Sequence, residues 1–114
     1  MSSTVHERPV KPAVFHILLA LASGDLHGLG IAGEVDEATS GAMRLGPGTL
    51  YRSLKEMVEV GLIKDVPAPA EDDDPRRRYY AITEEGGAVL QTEAARFENI
   101  VRVAQRKNVL PGTA

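Results

Sequence analysis

The stretch Pro67-Ala68-Pro69-Ala70-Glu71-Asp72-Asp73-Asp74-Pro75 restricts this chain more than any other. Its prolines lack the N–H that a helix interior or a central strand must donate, and its four successive carboxylates favour water. On either side lie short β-prone segments, Leu62 to Val66 and Arg78 to Ile82. Two such segments joined by a loop of this composition predict an antiparallel hairpin with a long tip. The rest of the chain has to be arranged around that hairpin.

What precedes it reads as helix. Pro12 suits a first helical turn, where its missing N–H costs nothing. Val14, Ile17, Leu18 and Leu21 then fall on one face, and Ser23-Gly24-Asp25 ends the segment. A second helix is predicted from about Gly28 to Thr39, with Leu29, Ile31, Ala32 and Val35 as its apolar contacts. Met43-Arg44-Leu45 reads as a short extended stretch, and Gly46-Pro47-Gly48 as a turn. A third helix follows from about Pro47 to Val60, burying Leu50, Leu54, Met57 and Val58, with Gly61 as a left-handed cap.

After the hairpin, Thr83 is a good N-cap, and Glu84 and Glu85 bring negative charge to the first turn, where the helix dipole favours it. A helix over residues 84 to 107 would be about 36 Å long. Leu90, Ala94, Phe97, Val101 and Ala104 recur at alternating spacings of four and three, a heptad-like seam that Ile100 and Val103 widen. A helix of this length overhangs a core built by three short ones. The surplus seam is best buried against a symmetry mate.

The totals narrow the function classes. A chain of 114 residues makes one domain, and with aromatics at only 4% its core must come from Leu, Val, Ile and Ala. The expected division is a flexible arm over 1–11, a folded unit over 12–83, a dimerisation helix over 84–108 and a tail over 109–114. With no Cys, disulfides, thiolate nucleophiles and Cys-ligated zinc are excluded together. The apolar run Val14 to Ala22 is too short for a membrane span, and the N-terminus lacks a signal-peptide pattern, so a cytoplasmic location is expected. His6, His16 and His27 are too dispersed for a metal or catalytic group, and neither an enzyme nor a cofactor is expected. Gly28-Leu29-Gly30-Ile31-Ala32-Gly33 matches G-x-G-x-x-G, but helical periodicity precedes it and no acid-ended strand follows. Tight helix packing explains it better than a dinucleotide site.

Three motifs carry a resemblance. Gly48-Thr49-Leu50-Tyr51-Arg52-Ser53-Leu54, then Val60-Gly61-Leu62-Ile63, then Arg78-Tyr79-Tyr80-Ala81-Ile82-Thr83-Glu84-Glu85-Gly86 resemble the PadR-like family of winged helix-turn-helix transcriptional regulators. The resemblance spans residues 12 to about 107. It implies an α+β, mostly helical winged helix with a two-stranded wing and a long C-terminal dimerisation helix. It also implies a DNA-binding repressor, acting as a homodimer on a palindromic operator and often relieved by a small-molecule effector. Two departures stand out. Leu29 follows His27-Gly28 where members usually carry an aromatic, and the C-terminal helical region is short.

Under that resemblance, the third helix is the one expected in the DNA major groove. Thr49, Tyr51, Arg52 and Lys55 are its contact residues, because hydroxyls and cations on one face can reach phosphates or base edges. The seam Leu90, Ala94, Phe97, Val101 and Ala104 is assigned to dimerisation. Arg76-Arg77-Arg78 has two readings: the arginines flank the helix and track the DNA backbone, or they pair with the acids at Glu71 to Asp74. The net charge of −3 keeps a competing function open, a winged-helix protein-interaction module that does not bind DNA.

Overall fold

The computed structural model describes residues 9–112. Helix α1 (Pro12–Leu21) begins with proline in its first turn and buries Ile17, Leu18, Ala20 and Leu21. Strand β1 (Leu26–His27) is only two residues long and leads directly into α2 (Gly28–Ala38), which buries Ile31 and Val35. The N-cap of α2 is His27, whose Nδ1 accepts from the Gly30 N–H at 3.1 Å. Helix α3 (Pro47–Glu59) buries Leu50, Leu54 and Met57. Strands β2 (Ile63–Val66) and β3 (Tyr79–Ile82) form the hairpin, and α4 (Glu84–Arg106) completes the order.

The third strand is not where the sequence reading put it. Met43-Arg44-Leu45 is irregular, and the extra strand is β1, ahead of α2. The sheet order is β1-β3-β2, all antiparallel, with Leu26 opposite Tyr80 and Asp65 opposite Tyr80 on the other side. The reason is local. Ser40 and Gly41 both take left-handed conformations, and the Thr39 hydroxyl accepts the Met43 N–H at 3.0 Å. That N–H is spent on a turn, while Leu26–His27 occupies the open edge of β3. Met43 and Leu45 instead lay their side chains on the core.

The core runs between the helices and the sheet. Ile17, Leu18, Leu21, Ile31, Val35, Leu50, Leu54, Met57, Ile63, Tyr80 and Val89 are all buried in one cluster. Two features join α3 to α4 across it. At the end of α3, the Leu62 N–H reaches the Met57 carbonyl and the Gly61 N–H the Val58 carbonyl, a Schellman closure that needs Gly61 at φ +83°. At the start of α4, the Thr83 hydroxyl accepts from the Gly86 N–H and lies 2.6 Å and 2.9 Å from the Gly61 and Leu62 carbonyls. The Thr83 N–H also donates to Leu62 O. Gly86 is buried there, and a Cβ on it would run into the Leu62 carbonyl oxygen.

The face of α4 that packs on its own domain is Gly86, Val89 and Glu93, with Leu90 half-buried beside it. The predicted seam therefore divides. Leu90 joins the domain core and Ala104 is half-buried, while Ala94, Phe97 and Val101 are exposed. Glu93 is buried and held by Arg96, with Nη1 to Oε1 at 3.0 Å.

The tip of the hairpin explains two of its four acids, Asp72 and Asp74. Asp72 turns inward: its Oδ1 accepts the Asp74 N–H, and its Oδ2 accepts the Tyr79 hydroxyl. Asp74 in turn accepts the Arg76 N–H at 3.1 Å. These are Asx-type turns, in which a short carboxylate takes the place of a strand partner. The Tyr79 hydroxyl, then the Asp74 N–H, hold the Asp72 carboxyl below its ordinary range.

Two outcomes follow from these contacts. Gly86→Ala should cost about 1–3 kcal/mol through overpacking, read as a lower denaturant midpoint; an unchanged midpoint would show that the Leu62 carbonyl gives way freely. Because the folded-state pKa of Asp72 is depressed, its contribution is full above the unfolded value, about 3.9, and fades as pH falls through the lower folded value. Carboxyl NMR titration should place Asp72 below that value, and Tyr79→Phe should move it up towards it. An unmoved midpoint would remove Tyr79 from the tip.

Candidate nucleic-acid interface

Helix α3 presents its polar side outward. Thr49, Tyr51, Arg52 and Lys55 are all exposed, while Leu50, Leu54 and Met57 on the other side are buried. The helix opens with Pro47 after an uncapped Gly46, so no side chain covers its first N–H groups. Arg52 and Lys55 form no ion pair among the described residues.

Tyr51, half exposed, lies across the start of α2. A Cβ at Gly28 would stand 2.6 Å from its hydroxyl, so the glycine makes room for the ring. Tyr51, Arg78 and Tyr80 form a common wall between two shallow concavities. One extends to His27, Gly28 and Arg77 at the start of α2; the other extends to Lys55, Glu59 and Asp65 along α3. Burial pushes the Tyr80 hydroxyl up from its ordinary pKa, and its hydrogen bond with Arg78 opposes the rise.

The sequence-derived residues therefore separate into groups. Tyr51 and Arg78 line both concavities between α3 and the hairpin, Arg77 joins them in the one at the start of α2, and Lys55 in the one along α3. Thr49 and Arg52 are exposed on α3 but line neither, and Arg76 projects from the tip with its side chain 93% exposed. All three arginines have carboxylate partners: Arg76 with Asp74 at 3.8 Å, Arg77 with Asp72 at 3.9 Å and Arg78 with Asp65 at 3.5 Å. The Arg76–Asp74 and Arg78–Asp65 pairs are exposed, and pairs of that kind are worth about 0–1 kcal/mol, so they are exchangeable for other anions, whereas Arg77 faces a carboxylate that is buried in the tip.

The sequence reading missed Asp65 and Tyr80. The hairpin register would have found them: with Asp65 opposite Tyr80, Arg78 is the diagonal neighbour of Asp65 on the same face.

Among the described residues no helix is long and apolar enough to cross a membrane, and no cluster of metal-ligating side chains is present.

Comparison with known proteins agrees with this geometry. A PadR family transcription regulator from hypervirulent Clostridium difficile superposes with a TM-score of 0.72 at 29% identity, covering 84% of this chain and 97% of the other. A transcriptional regulator from Clostridium thermocellum gives 0.66 at 26% identity, covering 82% and 89%. Bacillus subtilis PadR, solved in complex with operator DNA, gives 0.61 at 21% identity over 71% of this chain and 45% of its own, a likeness of fold. An uncharacterized 37.1 kDa protein in a Streptomyces fradiae transposon is 32% identical over 78 residues, which is 68% of this chain. This chain spans only 21% of that relative's length. The transcriptional regulator PadR-like family profile matches residues 17–92, from α1 into α4, so this chain belongs to the PadR-like family of transcriptional regulators, which are not enzymes.

Proposed function

We propose that this regulator is a homodimeric repressor that binds a palindromic DNA operator, with α3 in the major groove and the hairpin alongside. The observation that carries the reading is that Arg52 and Lys55 are exposed and without an ion-pair partner among the described residues, on a helix whose opposite face is locked into the core. Thr49 and Tyr51 add hydroxyls to that face, and Arg76, Arg77 and Arg78 flank it. Phosphate contacts supply most of the affinity and base-edge contacts the specificity, so a chain with net charge −3 can bind DNA if its positive charge is concentrated in this way. Bacillus subtilis PadR, which shares this fold, is solved in complex with operator DNA, in keeping with DNA as the partner.

Dimerisation is assigned to the distal part of α4, within the division of 12–83 as the DNA-binding unit and 84–108 as the dimerisation helix. Phe97, Ile100 and Val101 are 44%, 59% and 42% exposed, an apolar surface past the turns that α4 uses for its own core. Phe15 of α1 meets Phe97 edge-on at 4.8 Å between ring centres, so the surface continues onto α1. A two-fold axis there would present two recognition helices to half-sites about one helical turn apart or a multiple of it.

The competing reading, a protein-interaction module, draws on the carboxylate partners of the wing arginines. Salt separates the two. Fluorescence anisotropy against DNA from upstream of the protein's own gene should show binding that weakens steeply as salt rises. Arg52→Ala with Lys55→Ala should abolish that binding and leave the thermal transition nearly unchanged; retained binding would move the contact off α3. Phe97→Asp should halve the mass seen by light scattering, and an unaltered mass would take α4 out of the interface.

A further inference from the structure

All three wing arginines are neutralised by the protein's own carboxylates, but the three acids are not equivalent. Asp72 and Asp74 also shape the tip, accepting backbone N–H groups and, at Asp72, the Tyr79 hydroxyl. Asp65 has no such duty. It sits on β2 with its side chain half exposed, and among the described residues the side chain's one polar partner is Arg78. It also lines the concavity that Lys55, Tyr51 and Arg78 share, where a phosphate would approach two cations at once.

We infer that Asp65 is a resident competitor for DNA phosphate: it occupies Arg78 in the free protein and must give it up when the backbone arrives. The inference rests on the DNA-binding reading above and adds a selectivity device to it. A phosphate at Lys55 and Arg78 meets a carboxylate within 3.5 Å of the Arg78 Nε. Binding there is then an exchange of anions rather than a simple addition. An exchange suppresses weak, sequence-independent association most, because such complexes depend on phosphate contacts alone. Glu59, on the rim of the same concavity, adds to the repulsion but pairs with neither cation.

The test compares the full chain with Asp65→Asn, which keeps the shape and removes the charge. Both are titrated by anisotropy against a mixed-sequence duplex at several salt concentrations, with the thermal transition recorded in parallel. Asp65→Asn should bind about threefold tighter, the ratio expected for releasing one exposed ion pair. Its log–log salt slope should steepen by up to about 0.9, the increment for one further neutralised phosphate. In an Arg78→Ala background the same substitution should gain little. Equal or weaker binding by Asp65→Asn, or an undiminished gain without Arg78, overturns the inference while the DNA-binding reading stands. Absence of binding by both forms at low salt overturns that reading and the inference with it; binding by Asp65→Asn alone supports the inference.

Discussion

The Leu62 carbonyl is the point on which the geometry of this molecule turns. It closes no helix of its own, yet it receives the Thr83 N–H, lies within reach of the Thr83 hydroxyl and has the backbone of Gly86 pressed against it. The Leu62 N–H is already committed to Met57, inside the cap of α3. One peptide unit thus ties the last turn of α3 to the first turn of α4. A helix that enters DNA and a helix that faces a partner subunit would need a fixed mutual angle, since half-site spacing is set by it. Backbone hydrogen bonds and a missing methyl group hold that angle more rigidly than side-chain packing alone would.

Charge is organised on a second principle. The chain is acidic overall, and its most acidic segment lies in the hairpin that should approach a polyanion. Part of the contradiction is resolved by where the carboxylates point. Asp72 is turned into the tip as an acceptor for the Asp74 N–H and for Tyr79, and Asp74, half exposed, accepts the Arg76 N–H, while Glu71 and Asp73 stay exposed. Arg52 and Lys55 stay clear of them on α3. Local arrangement, not the total, decides what such a surface attracts.

Most of the fold was legible from periodicity and punctuation. The four helices, the hairpin, Gly61 as a left-handed cap and Thr83 as an N-cap all lie where apolar spacing and capping chemistry put them. The failures share a cause. Leu26–His27 is too short to carry any alternation, and it is a strand only because β3 has a free edge beside it. Met43 to Leu45 has suitable residues, but a hydroxyl four residues earlier took the N–H. Glu93 looks like a solvated position on a long helix yet is buried on the face of α4 that packs on its own domain, and Asp65 became visible only with the strand register. Contacts fixed by neighbours distant in sequence leave no trace in a local window. The cations of the groove were readable; the anion set among them was not.

The packing of Tyr51 over Gly28 has a consequence for how such regulators diverge. The space that a methyl group would take at Gly28 is held by the far end of a side chain, not by backbone. A larger residue at that position would swing the phenol aside without disturbing the core beneath it. A buried position at the start of α2 thereby sets the direction in which a hydroxyl on α3 points. A substitution at position 28 would therefore reorient Tyr51 with every residue of α3 unchanged.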